Sequence, residues 1–467
     1  MKPFSFQTHT QTLIADTVTP VSIYLKIRDK YPNSILLESS DYQANSNSFS
    51  FICFTPIADI KVENETITQR YPDGTHEVIP ISSASNIPDQ ISHFASRFHS
   101  DYENSKVISN GLFGYIAYDA VRYFETVHIT KKDNSIPIPD VYYAVYKNVI
   151  AIDHFKNEAH IFSHVYGDDS SELPEIIQLL KSKNFTSYNF QRSGEASSNM
   201  TDGDFKQMVR QAKEHCFRGD VFQLVLGRRF QQAFKGDEFN VYRALRSINP
   251  SPYLFFFDFG NFKLFGSSPE AQLIVREGKA EIHPIAGTFR RTGNDAQDAE
   301  LAKVLSEDAK ENAEHVMLVD LARNDLSRNG SQVEVETFKE VQFFSHVIHL
   351  VSKVTGMKKT DIPTMQVVAD TFPAGTLSGA PKPMALRLIE KYEPTSRGYY
   401  GGAIGFMDFK GNFNHAIMIR TFLCHNHKLY FQAGAGIVAA SSEENETQEV
   451  YNKLGALQKA LQIAENI

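Results

Sequence analysis

The sequence has 467 residues, of which 42% are hydrophobic and 22% are charged, with a formal net charge of −8 at pH 7. This composition is typical of a globular protein with a sizeable buried core. The negative charge argues against nucleic acid or an anionic membrane surface as a partner.

The cysteines and the N-terminal residues indicate the cellular compartment of the protein. Cys53, Cys216 and Cys424 are odd in number and widely spaced, which suits a reducing cytosol without a disulfide framework. The first 20 residues lack the basic-then-apolar profile of a signal peptide. No uninterrupted apolar run approaches the roughly 20 residues needed to span a bilayer. We therefore expect a cytoplasmic protein with no membrane span.

The N-terminal part predicts mixed helix and strand with polar loops. Residues 34–42, SILLESSDY, predict a short apolar strand that runs into a polar turn. The polar stretch 191–204 has the composition of a linker. It divides the chain into an N-terminal region, 1–190, and a C-terminal region, 200–467.

Helices and hairpins alternate after this stretch. Thr201 and Asp204 form a capping-box pattern for a helix that Gly219 ends. The later predicted elements are a strand at 220–230, a hairpin at 248–270, a strand at 281–291, a strand or mixed segment at 338–356, a glycine-rich loop and helix at 370–392, a hairpin at 397–424, a strand at 429–441 and a tail helix. So many hairpin-like strands favour the α+β class over a doubly wound parallel sheet.

Residues 311–330 predict an amphipathic helix with two carboxylates on one face. Glu311 and Glu314 stand three apart, with His315 beside them. Such a pair can hold Mg²⁺, which prefers oxygen ligands. On this stretch alone, a solvated helix face is the favoured alternative.

A second acidic pair, Glu446 and Glu449, opens the tail helix with the same spacing. Its structural alternative is a favourable interaction with the helix dipole. If the two pairs faced each other across a cleft, they would form a four-carboxylate Mg²⁺ site, because four such charges without a cation repel strongly.

Several other residues give individually weak signals. Glycines at 434 and 436 interrupt a strand, where a ligand or another segment must come close. Residues 375–379 precede a helix, where backbone amides suit an anion. Arg420 could pair with a protein carboxylate or grip a substrate carboxylate. His349 and Tyr400 could equally be core and hairpin-packing residues.

Taken together, these segments resemble the chorismate-utilising enzymes, and most closely the anthranilate synthase component I family. The matching motifs, in the family's order, are LLES (36–39), GSSPE (266–270), PIAGT (284–288), AEHVMLVDLARNDL (313–326), HLVS (349–352), GTLSGAPK (375–382), YGGAIG (400–405), IRT (419–421) and QAGAGIV (432–438). The resemblance implies two large antiparallel sheets packed between helices.

The resemblance also implies a substrate and metal site. Glu314 and Glu449 would bind Mg²⁺ directly, and Glu311 and Glu446 would bind it through water. The metal would hold the ring carboxylate of chorismate. Further substrate-binding residues are implied: Arg420 and Tyr400 at the enolpyruvyl carboxylate, with Gly287, Thr288, Gly434, Ala435 and Gly436 lining the pocket. The family usually has Asp-Ser-x-Pro-Glu before the second pair, whereas this chain has Ala-Ser-Ser-Glu-Glu. Glu443 and Glu444 are therefore alternative ligands.

The implied catalytic residues are Glu270, His349 and Thr376. Chorismate must lose its C4 hydroxyl as ammonia adds at C2, and hydroxide leaves poorly without an acid. Glu270 is the candidate acid, and Thr376 would hydrogen-bond nearby. His349 would assist the later loss of pyruvate.

Two positions distinguish this chain from other relatives. The aminodeoxychorismate enzymes carry a nucleophilic lysine where this chain has Ala286, and the isochorismate and salicylate synthases carry a lysine base where it has Gln223. Both differences point to ammonia as the nucleophile and anthranilate as the product, with aminodeoxychorismate synthase component I as the alternative. Because no cysteine lies in a nucleophile-elbow setting, we expect a separate glutamine amidotransferase subunit, component II, to supply ammonia.

The resemblance further implies a tryptophan feedback site, as expected for the first committed step of tryptophan biosynthesis. Ser39, Pro252, Tyr253 and Leu254 would bind the inhibitor between the N-terminal region and the NPSPY segment. The alternative is that NPSPY is an ordinary turn and Ser39 a polar strand end.

Overall fold

The computed structural model describes residues 3–39, 48–82, 85–102, 107–132, 135–343 and 347–467. The side chains of residues 286, 288, 290, 310 and 347 are outside the described set. In the described part of the chain, no helix is long and apolar enough to cross a membrane.

Strands are the most frequent regular element in the described part of the chain. Their bounds are β1 Phe4–Ile14, β2 Ile35–Ser39, β3 Phe49–Glu63, β4 Thr66–Arg70, β5 His76–Pro80, β6 Phe98–Ser100, β7 Gly111–Ile116, β8 Val141–Asp153, β9 Glu158–Val165, β10 Phe190–Ser198, β11 Gln223–Gly236, β12 Tyr253–Asp258, β13 Phe262–Ser268, β14 Ala271–Arg276, β15 Lys279–Ile282, β16 Ile285–Arg290, β17 Gly330–Phe343, β18 Val347–Lys358, β19 Gly379–Ala380, β20 Ala403–Asp408, β21 Phe413–Ile417, β22 Thr421–His425 and β23 Lys428–Ile437.

Helices lie between groups of strands. Their bounds are α1 Pro20–Ile27, α2 Ile87–Ser96, α3 Leu173–Lys181, α4 Asp202–Arg218, α5 Phe239–Ile248, α6 Asp295–Glu307, α7 Ala309–Ser327, α8 Thr364–Thr371, α9 Lys382–Tyr392 and α10 Glu443–Ala464, with 3-10 helices at Tyr118–Tyr123 and Gly375–Leu377. Among the described strands, β1 and β6 pair in parallel, and the other pairings are antiparallel. The α+β class built on large antiparallel sheet is confirmed.

Strands from the two predicted regions pair with each other. β2 pairs with β12, placing Ser39 opposite Tyr253. β7 pairs with β20 along its whole length. The expected linker is wrong in part, because Phe190–Ser198 is strand β10 and pairs with β11. Its polar composition reflects a strand that is largely exposed rather than an irregular chain.

Buried aromatic side chains supply much of the core between the sheets. Tyr24, Phe239, Tyr242 and Phe256 form one cluster, with ring centroids 4.9–5.7 Å apart in successive contacts. Offset and edge-on ring pairs of this kind add stabilisation beyond the area they bury. This cluster joins α1, α5 and β12, and so fixes the N-terminal region against the C-terminal one.

Helix α4 forms as its capping pattern predicts. The Thr201 hydroxyl accepts a hydrogen bond from the Asp204 amide at 3.1 Å, and the Asp204 carboxylate accepts one from the Thr201 amide at 3.0 Å. Gly219 ends the helix with φ of 77°, a conformation that glycine adopts without strain. The capping-box prediction is confirmed.

The two acidic helices pack on different parts of the sheet. α7 packs against β16, β17 and β18, and α10 packs against β23 and α5. Their N-terminal caps are the side chains of Asp308 and Ser442. Each helix therefore carries its acidic residues in its first turns.

Candidate active site

Helix α7 brings its carboxylates to β11 and β16. Oε1 of Glu314 accepts a hydrogen bond from the Gln223 amide at 2.8 Å. Oε2 of Glu311 lies 3.1 Å from where a Cβ atom on Gly287 would be, and Gly287 has φ of 71°. The neighbouring His315 is buried and bonded to the Ser352 hydroxyl at 2.6 Å. His315 thus holds α7 to β18.

Helix α10 brings its second pair to β23. Glu446 is buried, and Glu449 forms an ion pair with Lys453 at 2.6 Å. Lys453 also donates a hydrogen bond to the carbonyl of Gly434 at 2.9 Å. The alternatives Glu443 and Glu444 instead pair with lysines of α4, Lys213 and Lys206.

Both helices therefore approach the same short segment of β23. A Cβ atom on Gly436 would lie 2.5 Å from Nε2 of Gln223, the residue bonded to Glu314. A Cβ atom on Gly434 would lie 3.1 Å from the Tyr400 hydroxyl. Ala435, between them, is fully buried. Glycine is needed at 434 because the backbone carbonyl of Leu226 would lie 2.7 Å from a Cβ atom, and at 436 because the Gln223 side chain crosses the strand there.

Arg420 is a cation without a described counter-charge. Its Nη1 donates a hydrogen bond to Oδ1 of Asn249 at 3.1 Å, and its φ is 48°, which is strained for a residue with a side chain. Desolvation lowers the pKa of this guanidinium, and among the described residues no carboxylate offsets that effect. A half-buried arginine in this state is suited to bind an anionic ligand.

Tyr400 is buried against the same segment. Burial raises the pKa of its hydroxyl, so the group stays protonated at neutral pH and can donate a hydrogen bond. The Arg397 guanidinium lies 5.7 Å from the Tyr400 ring centroid. Arg397 is fixed by Glu393 at 2.6 Å and by the carbonyl of Leu377 at 2.6 Å. This buried pair holds the Tyr400 ring in place.

Glu270 has the properties of a proton donor near neutral pH. Burial raises the pKa of Glu270 to about 7, against smaller lowering effects of Thr376 and Lys453. The Thr376 hydroxyl donates to Oε1 of Glu270 at 3.0 Å. Lys453 therefore links this carboxyl electrostatically to Glu449 on α10.

His349 lies between β16 and the guanidinium of Arg420. Nδ1 of His349 is 2.9 Å from the carbonyl of Gly287, which can only accept, so Nδ1 carries a proton. Desolvation lowers the pKa of the ring, the hydrogen bond to Gly287 partly offsets this, and the charge of Arg420 lowers the pKa further. His349 is thus neutral at pH 7. In register it pairs with Thr288, whose side chain, like that of Ala286, is outside the described residues.

The predicted metal ligands fit Mg²⁺ by donor type. They are hard carboxylate oxygens supplied by two helices that meet at one strand. Among the described residues, no three acidic, histidine or cysteine side chains form a ready coordination group. Glu314 instead contacts the side-chain amide of Gln223, and Glu449 contacts the ammonium group of Lys453. At least two of the four carboxylates thus have a neutral or positive partner in the protein.

The predicted tryptophan-binding residues also lie together. Tyr253 is opposite Ser39 on β2, and buried Leu254 follows it on β12. Pro252 directly precedes this strand. Glu38 of the LLES motif accepts from Tyr242 at 2.5 Å and pairs with Arg246 at 2.9 Å.

Two residues that contact the candidate active site, Lys453 and Asn249, were not predicted from the sequence. Lys453 is not among the residues predicted from the sequence, although its spacing of four from Glu449 on a helix could have predicted the ion pair. Asn249 opens the NPSPY segment, and nothing in the sequence connects it with Arg420.

The chain matches known proteins along almost its full length. The family model of chorismate binding enzymes matches residues 16–459. The chain is 37% identical to anthranilate synthase component 1 of Aquifex aeolicus (strain VF5), over 97% of this chain and 94% of that one. It is 38% identical to the Lactococcus lactis subsp. lactis (strain IL1403) protein of the same name, over 95% and 98%.

A solved structure gives the same result. The crystal structure of anthranilate synthase component I from Streptococcus pneumoniae TIGR4 aligns with a TM-score of 0.77 and 33% identity, covering 95% of this chain and 98% of that one. The chain is therefore an enzyme that belongs to the chorismate-binding family, among the relatives named anthranilate synthase component 1.

Proposed function

We propose that this chain is the large subunit of an anthranilate synthase, which converts chorismate and ammonia to anthranilate and pyruvate. The observation that carries the proposal is Arg420, a half-buried guanidinium with no described counter-charge, beside neutral His349. A dianionic substrate supplies the missing negative charge. Its second carboxylate would lie toward the two acidic helices.

Substrate binding follows from the charges. Arg420 and the Tyr400 hydroxyl donate to the enolpyruvyl carboxylate. Mg²⁺, held by Glu314 and Glu449 directly and by Glu311 and Glu446 through water, would neutralise the ring carboxylate and the acidic side chains around it. Lys453 stands beside Glu449 and adds a further positive charge at that end of the pocket.

Proton transfer is assigned to Glu270 and His349. With a pKa of about 7, Glu270 is partly protonated at neutral pH and can give its proton to the departing C4 hydroxyl. Thr376 holds the acceptor oxygen of Glu270 and so directs the proton toward the substrate. His349, neutral and oriented by Gly287, assists the elimination of pyruvate.

Ammonia as nucleophile is supported by the residues that are absent. Ala286 cannot form a covalent adduct, and Gln223 cannot deprotonate water. We further propose that a glutamine amidotransferase subunit delivers the ammonia in the cytoplasm. We also propose that tryptophan inhibits the enzyme from the site formed by Ser39, Pro252, Tyr253 and Leu254.

Product analysis tests the proposal. Purified chain is incubated with chorismate, Mg²⁺ and ammonium at alkaline pH, where free ammonia is abundant. A fluorescent anthranilate product, formed together with pyruvate, is the expected result. Accumulation of 4-amino-4-deoxychorismate would indicate the aminodeoxychorismate synthase alternative, and isochorismate would indicate water as nucleophile; either product overturns the proposal.

A further inference from the structure

A buried ion pair anchors the C-terminal end of α7. Nζ of Lys382, the first residue of α9, donates to Oδ2 of Asp325 at 2.7 Å and to the carbonyl of Thr371 at 3.0 Å. Lys382 and Asp325 are only 2% and 5% exposed. Because both charges are removed from water, the pair requires close geometry to persist.

Asp325 lies on the face of α7 that carries the predicted metal ligands. It follows Glu314 by eleven positions, close to three full helical turns and about 16 Å along the axis. Leu321 lies between them and packs over Gly375, where a Cβ atom would be 2.2 Å from the leucine Cδ2. This face of α7 therefore contacts the segment 375–382 at two places.

The same segment holds the proposed acid. Thr376, adjacent to Gly375, donates the hydrogen bond to Glu270. Segment 375–382 thus contacts α7 through Leu321 and Asp325, and contacts Glu270 through Thr376. This segment therefore links α7, which carries the predicted metal ligands Glu311 and Glu314, to the proposed proton donor Glu270.

The Leu321–Gly375 contact and the Asp325–Lys382 ion pair constrain different movements of α7. A leucine over a glycine keeps the helix close but resists sliding only weakly, since dispersion contacts are not directional. The ammonium–carboxylate contact is directional and buried, so it fixes the position of α7 along its axis. At the same end, Arg328 pairs with Glu125 at 2.6 Å. The C-terminal end of α7 is therefore anchored in addition to the His315–Ser352 contact nearer its N-terminal end.

We infer that the Asp325–Lys382 ion pair is a positioning device, which sets the distance between Glu311 and Glu314 on α7 and the Thr376–Glu270 pair. The inference rests on the proposed function, because it takes these carboxylates as the Mg²⁺ ligands. Asp325 and Lys382 touch neither substrate nor metal and act through the helix.

An effect of these residues on protein stability can be separated experimentally from an effect on the position of α7. Replacing a buried ion pair by apolar residues of similar size is often neutral for stability, whereas removing one partner is strongly destabilising. The single variants Asp325→Leu and Lys382→Met should therefore lower Tm. The double variant Asp325→Leu/Lys382→Met should regain most of that loss but lack the directional contact.

Mg²⁺ binding by calorimetry is the deciding measurement. We expect the double variant to bind Mg²⁺ about 10–100-fold more weakly than the wild type at a similar Tm, as for other outer residues that orient metal ligands. The matched control is Arg28→Met/Asp237→Leu, which removes an ion pair at α1 with 2.6 Å separation and 11% and 10% side-chain exposure. Its Mg²⁺ affinity should be unchanged.

A double variant with wild-type Tm and wild-type Mg²⁺ affinity would overturn the inference while leaving the proposed function intact. A wild-type chain that binds no Mg²⁺ would overturn the metal assignment and the inference with it. Should the double variant not fold, Asp325→Glu replaces it: this variant keeps the charge but lengthens the link by one methylene. Weaker Mg²⁺ binding at an unchanged Tm supports the positioning role, and unchanged binding contradicts it.

Discussion

Oδ1 of Asn249 accepts a hydrogen bond from Nη1 of Arg420 over 3.1 Å. The same side chain donates to the hydroxyls of Ser251 and Ser267 at 3.3 Å. Asn249 opens the NPSPY segment of the predicted tryptophan site, and Arg420 is the predicted carboxylate ligand. One amide therefore contacts both proposed sites.

Replacing Asn249 by Ala should affect both sites at once. Loss of the contact leaves Arg420 less well oriented, so KM for chorismate should rise about 3–10-fold, the equivalent of one hydrogen bond. Tryptophan should then raise KM by a smaller factor than in the wild type, because coupling between two sites is reciprocal. Steady-state kinetics with and without tryptophan measure both effects. An Asn249→Ala enzyme with wild-type KM and inhibition would exclude this link.

Replacing Arg420 by Met should weaken substrate binding much more. It removes a charge-assisted contact to a carboxylate, worth about 1.5–3 kcal/mol, or roughly 10–150-fold in kcat/KM. Because no described carboxylate is left unpaired by the change, Tm should fall little. Kinetics and thermal melts are compared, with Arg192→Met, which removes an exposed ion pair to Glu465, as control. Unaltered kinetics would contradict the carboxylate-binding role.

Replacing Glu270 by Gln should remove the proposed general acid of the reaction. The folded-state pKa of about 7 lies above the ordinary value of 4.5, so the group is protonated below about pH 7 and loses its proton above it. At constant free ammonia, wild-type kcat should therefore fall as pH rises through 7. In Glu270→Gln it should be about 10²–10⁴-fold lower, without this dependence.

The same shift affects stability with a definite sign. Between about pH 4.5 and 7 the folded chain binds this proton more tightly than the unfolded chain, so the free energy of unfolding falls as pH rises through that window. Denaturant titrations at several pH values should show a smaller fall in Glu270→Gln. An identical pH profile in the two proteins would show that Glu270 is not the group responsible.

Replacing His349 by Ala should separate the two halves of the reaction. The proton transfer during amination is assigned to Glu270, whereas the later elimination of pyruvate is assigned to His349. The variant should consume chorismate and accumulate the aminated intermediate, which chromatography of quenched mixtures would reveal. Gln342→Ala, at the position paired with His349 in β17, serves as the control. Normal anthranilate output from the His349 variant would refute the role.

Replacing Ser39 by Ala should weaken tryptophan inhibition while sparing turnover. The chain contains no Trp, so the fluorescence anisotropy of added tryptophan reports binding directly, without background from protein indoles. We expect a few-fold weaker binding, in keeping with one lost polar contact. Ser5→Ala, on β1, is the control. Unchanged tryptophan binding would count against the site.

Local patterns accounted for the elements that depend on local chemistry. The α4 cap was predictable because Thr201 and Asp204 satisfy each other's amides within one turn. Composition failed at 191–204, since polarity cannot distinguish a linker from a partly exposed strand, and the pairing partner of β10 begins 25 residues beyond its end. The fold class followed from the number of hairpins.

Contacts between distant segments could not be predicted from one sequence. Asp325 and Lys382 are separated by 57 positions, and Asn249 and Arg420 by 171. Neither pair has a spacing that periodicity can detect, because a helix or strand relates only near neighbours. The ion pairs of Glu443 and Glu444 with lysines of α4 likewise join residues that are 230 and 238 positions apart.

Strand β23 lies between β11 and β22, and α10 follows it as the last element of the chain. During synthesis, most of the chain therefore leaves the ribosome before β23 is available to pair with β11. Until then β11 has an unpaired edge, the kind of surface that recruits chaperones or aggregates. A nascent chain stalled before residue 428 would lack Glu446 and Glu449 as well, so the proposed pocket can form only after β23 and α10 have been synthesised.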